Sequence, residues 1–137
     1  MATAKPFLMF QGDAQAAMDL YVATFPDSRV VHAERYGEGE PGPAGTIKVA
    51  TFTLCGREFM CSDSPIKHNF TFTPSSSIFV ECRSPDELDQ AFATLAADGQ
   101  ILMPLGNYGF SERFGWLNDR FGVSWQLNFV GEGASGK

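Results

Sequence analysis

The chain has little with which to hold a polyanion: 10 Lys and Arg against 16 Asp and Glu give a formal charge of −6 at pH 7, so no basic face stands ready to neutralise phosphates. Nucleic acid is excluded as an expected partner. No apolar run approaches the roughly 18 residues of a membrane-spanning helix. The opening MATAKPFLMF lacks a basic start followed by an apolar core and a cleavage site. The expectation is a cytoplasmic protein with no membrane partner. Cysteines are few and odd in number: Cys55, Cys61 and Cys82 cannot all pair, and none lies in a Cys-x-x-Cys motif, which suits reduced thiols. With no secretory signal, the acceptor-like Asn69-Phe70-Thr71 is expected to carry no glycan. Also missing is a glycine-rich turn between a strand and a helix with an acidic residue about 20 positions later, so no nucleotide-type cofactor is expected.

What is present suits one domain that buries its core without disulfides or a structural metal: 137 residues, 44% hydrophobic, with 13 Phe and 14 Gly. The first apolar run, PFLMFQ, reads as a buried strand ending at Gly12-Asp13, with Asp13 as the expected N-cap of a helix. Ala17, Leu20, Tyr21, Thr24 and Phe25 then recur at helical spacing, and the helix must stop by Pro26. The strand RVVHAERY follows, with His32 expected on the face of Val30, Glu34 and Tyr36. GEGEPGPAG (residues 37–45) is a loop, TIKVATFTL a strand, and Cys55-Gly56 a tight turn into REFMCS. The order is β-α-β-β-β.

The second half repeats it. After SSSIFVEC, Ser84, Pro85 and Glu87 form a Ser-x-x-Glu helix start. Leu88, Ala91, Phe92 and Leu95 supply its buried face, and Gly99 is expected to end it. QILMP, a loop and the hairpin of residues 112–129 complete the unit. An offset of 71 carries Phe7 onto Ile78, Met9 onto Val80, Asp13 onto Ser84 and Tyr21 onto Phe92. In the closing hairpins the offset is 66, taking Gly56 to Gly122 and Met60 to Gln126. The fold class is therefore α+β, a single domain over residues 1–130 with module one at about 5–63 and module two at about 75–130, and a disordered tail at 131–137. Helices on the outer faces would leave two sheets curving toward each other as a cup.

The stretches PFLMFQGDAQAAMDLY, FPDSRV, FMCSDSPIKHNFTFTPS and FGWLNDRFGVSWQLNF together resemble the vicinal-oxygen-chelate superfamily of glyoxalases, bleomycin-resistance proteins and ring-cleaving dioxygenases. Within it they resemble the PhnB-like branch, also labelled 3-demethylubiquinone methyltransferase-like. The resemblance implies paired β-α-β-β-β modules, a small-molecule site in the cup, and a homodimer. Metal-dependent members place His or Glu ligands on the first and last strands of each module; the corresponding last-strand residues here are Met60 and Gln126, and neither first strand offers a His. No metal and no cofactor are thus expected.

The pocket candidates are Gln126, as donor and acceptor to a ligand carbonyl or carboxylate; Met60, Phe52, Trp116 and Phe110, as apolar lining; and Asp63, His68 and Cys61, a chemically rich cluster after a strand end. Each has a plainer reading, in hairpin hydrogen bonds, core packing or solvent. The leading function is a small-molecule-binding protein without a catalytic metal. The alternative is a metal-assisted lyase, isomerase or dioxygenase-like enzyme using Glu81, Glu112 or His68 with Gln126, and a third reading is a dimeric scaffold with no ligand.

Overall fold

The computed structural model describes residues 1–131; the rest of the expected tail, residues 132–137, lies outside the described residues. Ten elements follow in order: β1 (Phe7–Phe10), α1 (Ala14–Thr24), β2 (Arg29–Arg35), β3 (Ile47–Leu54), β4 (Arg57–Asp63), β5 (Ser77–Glu81), α2 (Pro85–Ala96), β6 (Gln100–Gly106), β7 (Arg113–Asn118) and β8 (Ser124–Phe129). The chain divides into two units, Met1–Asn69 and Phe70–Lys137. Each is a β-α-β-β-β module with a four-stranded mixed sheet, ordered β1-β4-β3-β2 in the first and β5-β8-β7-β6 in the second. In each, the first strand runs parallel to the last and the other pairings are antiparallel. The long connection that a parallel pair requires runs through the helix and the two strands that follow it.

In the first unit, burial alternates along β3 from Ala50 to Leu54 and along β4 from Phe59 to Asp63. Ala50, Phe52, Leu54, Phe59 and Cys61 are buried, while Thr51, Thr53 and Met60 are half-buried. The buried set packs against α1: the Phe52 ring lies 6.4 Å from that of Tyr21 and stacks on Phe59 at 5.6 Å. The β3–β4 turn needs a left-handed pair, supplied by Cys55 (φ 52°) and Gly56 (φ 82°), a turn whose twist matches the strands.

Three expectations are corrected here. Asp13 stands at the N-cap of α1, but its side chain caps nothing. Asp63 does the work from the end of β4: Oδ1 accepts the N–H of Gly12 at 2.8 Å and of Ala14 at 3.0 Å, and Oδ2 that of Ile47 at 2.9 Å. His32 does not share a face with Val30. Val30 pairs with Phe52 and His32 with Thr51, because a β-bulge places Val31 as an extra residue and flips the alternation. Phe7 pairs with Met60 and Phe79 with Gln126, so the first strands correspond at an offset of 72, not 71, and Phe7 matches Phe79 rather than Ile78.

The second unit follows the helix reading closely. Ser84 Oγ accepts the N–H of Glu87 at 3.1 Å, and Leu88, Ala91, Phe92 and Leu95 are buried. Glu87 reaches back to the N–H of Arg83 at 2.7 Å, one residue earlier than the usual reciprocal cap. Gly99 does not end α2 through a left-handed backbone; Asp98 takes that conformation (φ 61°). A glycine is required at 99 for closeness, since a Cβ there would sit 2.2 Å from the Asn118 carbonyl oxygen. At Gly115, within β7, a Cβ would meet the Phe92 ring at 2.4 Å, which shows that this face of the sheet is the one α2 covers.

Candidate functional site

Register separates the residues of sheet two by face. Gly115, Leu117, Trp125, Leu127 and Arg113 share the face under α2; Arg113 Nε reaches Asp89 of the helix at 2.7 Å. The alternate residues Phe114, Trp116, Asn118, Ser124, Gln126 and Asn128 therefore occupy the other, open face. Trp125 is fully buried against the helix side and its indole N–H donates to Asp119 Oδ2 at 2.9 Å. Trp116 is half-buried on the open face, so the two tryptophans of this hairpin lie on opposite faces of the sheet.

Across the centre of this face runs one row of register partners: Phe79 on β5, Gln126 on β8, Trp116 on β7 and Met103 on β6. Phe79 remains 53% exposed. On β8, the polar residues on either side of Gln126 are satisfied. Ser124 Oγ accepts the Trp116 indole N–H at 2.8 Å and shares a 2.7 Å hydrogen bond with Ser77. Asn128 accepts from Ser111 at 2.6 Å and donates to Glu81 Oε1 at 2.9 Å. The half-buried amide of Gln126 has no hydrogen-bond partner among the described residues. Nearby, Asn118, register partner of Ser124, holds a buried Oδ1 with no donor among the described residues. Phe110 is 62% exposed and packs edge-on against Phe114, centroids 5.0 Å apart, with Tyr108 stacked beside it. Thus Gln126, Trp116 and Phe110 belong to one face of one unit.

The other sequence candidates separate. Met60 lies on the open face of the first unit, in register between Phe7 and Thr51. Phe52 and Cys61 are buried among the core residues facing α1. Burial, reinforced by the Asp63 charge, pushes the Cys61 thiol up to about 12, so it is a neutral thiol near pH 7. Asp63 is buried, with its carboxylate engaged by three backbone N–H groups. His68 is half-buried, and its Nε2 lies 2.9 Å from Ser64 Oγ. Asp63 and Ser64, but not Cys61, line a hollow of about 350 Å³ at the start of α1, together with Gln11, Gly12, Thr46 and Lys67. Reasoning from sequence missed Phe79, Met103 and Ser64; the signal for Ser64 was its place four residues before His68.

A metal of the kind the fold family uses does not fit these donors. The register pairs of first and last strands are Phe7 with Met60 in one unit and Phe79 with Gln126 in the other, which offer a thioether, an amide and two phenyl rings. A divalent ion takes at least three or four N, O or S donors. Glu81, the carboxylate on the same face, is bound to Asn128, and among the described residues no three His, Cys, Asp or Glu side chains are grouped to hold an ion.

Comparisons with known proteins agree with this architecture. A PhnB protein from Bacillus cereus is 54% identical, covering 93% of this chain and 99% of its own, with a TM-score of 0.91. Protein YjdN of Escherichia coli K12 is 26% identical over 91% of this chain and 93% of its length. A glyoxalase/bleomycin resistance protein/dioxygenase from Alicyclobacillus acidocaldarius, at 15% identity over 98% of this chain and 97% of its own, shares the fold with a TM-score of 0.56. The model of the family described as 3-demethylubiquinone-9 3-methyltransferase matches residues 2–128, and the chain belongs to that family, the PhnB-like branch of the glyoxalase/bleomycin resistance/dioxygenase fold.

Proposed function

We propose that the protein binds a small, planar, partly apolar molecule on the open face of its second sheet, without a chelated metal. One observation carries this reading. Of the three polar side chains that β8 presents on that face, Ser124 and Asn128 are hydrogen-bonded within the protein, whereas the amide of Gln126 between them has no partner among the described residues. A half-buried amide reaches solvent, and a ligand carbonyl or carboxylate can take the place of water on it. Phe79 and Trp116 flank the amide in register, two aromatic surfaces for a flat apolar body. A homodimer is part of the proposal, inferred from the family resemblance.

The test is native mass spectrometry of freshly purified protein with and without chelator, paired with titration of candidate aromatic carboxylates and amides by Trp116 fluorescence. Trp125, buried and fixed on Asp119, serves as the silent reference. The expected result is a chelator-insensitive ligand mass and a fluorescence response that Gln126→Ala weakens roughly tenfold, the worth of about one hydrogen bond. A stoichiometric, chelator-sensitive metal ion overturns the reading.

A further inference from the structure

The hollow at the start of α1 lies in the first unit and belongs to no part of the site above. Its floor is built from groups that are already committed: the Asp63 carboxylate holds three backbone N–H groups, and Thr46 Oγ donates to the Pro43 carbonyl at 2.7 Å. Ser64 lines the hollow and is paired with His68, which is not itself a lining residue. Ser64 Oγ and His68 Nε2 are 2.9 Å apart, the distance at which an imidazole takes a hydroxyl proton. Lys67 lines the same hollow and has no ion pair among the described residues. Pro43, Pro65 and Ile66 supply an apolar wall. At about 350 Å³ the space is at the small end of ligand pockets.

We propose that Ser64 and His68 act as a nucleophile and base on small carboxylic esters seated in this hollow. Ser64 has a single hydroxyl proton. Its oxygen is 3.2 Å from both the N–H and the carbonyl of Ile66, and the 2.9 Å contact to His68 is the shorter outlet for that proton. With the imidazole proton on Nδ1, the Ile66 N–H donates to Oγ and Oγ donates to His68 Nε2. Attack forms the Oγ–C bond to the ester carbonyl while the proton passes to Nε2, and the Lys67 ammonium is the cation available for the developing oxyanion. Collapse breaks the C–OR bond, and the alcohol leaves with the proton from Nε2. Water then gives a proton to Nε2 as its oxygen bonds to the acyl carbon; the Oγ–C bond breaks, Oγ takes the proton back from Nε2, and the carboxylic acid leaves with Ser64 restored.

The segment also has a plain structural use, since the Ser64 hydroxyl braces the turn at Ile66 and Gln11 Nε2 donates to the Ile66 carbonyl at 2.7 Å. The experiment must therefore read chemistry rather than folding. The intact protein is mixed with p-nitrophenyl acetate, nitrophenolate release is followed, and the quenched protein is digested and mapped for acetyl groups. The expected result is acetylation of Ser64, with hydrolysis falling about 100-fold or more in Ser64→Ala and His68→Ala, both checked for unchanged far-UV circular dichroism. If either variant fails to fold, labelling of the unmodified protein by a fluorophosphonate probe decides the matter alone. Acetyl or phosphonyl groups on Lys67 or Cys55 with none on Ser64, or hydrolysis by a folded Ser64→Ala protein at the original rate, overturns the proposal.

Discussion

Asp119 Oδ2 accepts the indole N–H of Trp125 at 2.9 Å, and the same carboxylate holds the backbone N–H groups of Phe121 at 2.8 Å and Val123 at 3.0 Å. The β7–β8 turn is thus fastened to the largest buried side chain of its unit. Asp119→Ala strands three donors, those of Val123 and Trp125 buried and that of Phe121 half-buried, and each costs on the order of 1 kcal/mol. The expected loss is about 3 kcal/mol in urea unfolding, with Asp119→Asn losing less because its carbonyl oxygen still accepts.

Asp63 and Asp13 offer a matched test of who caps α1. Asp13 holds the cap position with no side-chain hydrogen bond, while Asp63 takes the N–H groups of Gly12 and Ala14 at the helix start, 51 and 49 residues away in the chain, and that of Ile47, 16 residues away. Asp63→Ala is expected to lower stability by about 3 kcal/mol, and Asp13→Ala by less than about 0.5 kcal/mol. Equal losses in the two denaturation curves would mean that the N-cap residue, not the distant carboxylate, secures the helix.

Gly115 tests the seat of α2 on its sheet. A methyl group there meets Phe92 Cε2 at 2.4 Å and Leu105 Cδ2 at 2.8 Å, so Gly115→Ala must push the ring or the helix outward. Overpacking of this kind costs about 1 to 3 kcal/mol. Phe92→Leu in the same chain should return part of the loss, a positive coupling measurable by a double-mutant cycle.

The elements that were legible in the sequence are those whose causes are local. Ser84, Pro85 and Glu87 mark the start of α2, and its four-residue buried face follows from spacing alone. The Cys55-Gly56 turn carries its own backbone chemistry. What escaped depends on partners far along the chain. The bulge at Val31 is invisible without β3 beside it, and the cap from Asp63 requires β4 to lie next to β1. Among the site candidates, Met60 and Cys61 are neighbours on one strand, so they face opposite sides; pairing with Phe7 and Thr51 assigns Met60 to the open face. Gln126 came out of the internal repeat, whereas its partner Phe79 did not, because the first strands are offset by one residue more than the helices that follow them.

Cys61 gives the fold an alkaline weakness with a definite sign. Burial first, and the Asp63 charge second, raise its thiol from 9.0 to about 12. In the unfolded chain the thiol ionises near 9.0, whereas the folded protein keeps it protonated, so between those values the unfolded state binds fewer protons and stability falls as pH rises. The contribution is complete below about pH 9 and is lost progressively toward about pH 12. Urea unfolding at about pH 8 and about pH 10 should show a decline that Cys61→Ala removes, since alanine lowers stability at both values but has nothing to titrate. Thiol labelling supplies the parallel measurement. Cys55 is exposed and Cys61 and Cys82 are buried, so one rapid modification is expected in the native protein at about pH 8 and three after unfolding. Rapid native labelling of Cys61 would mean that its strand opens to solvent, and the alkaline decline would then need another source.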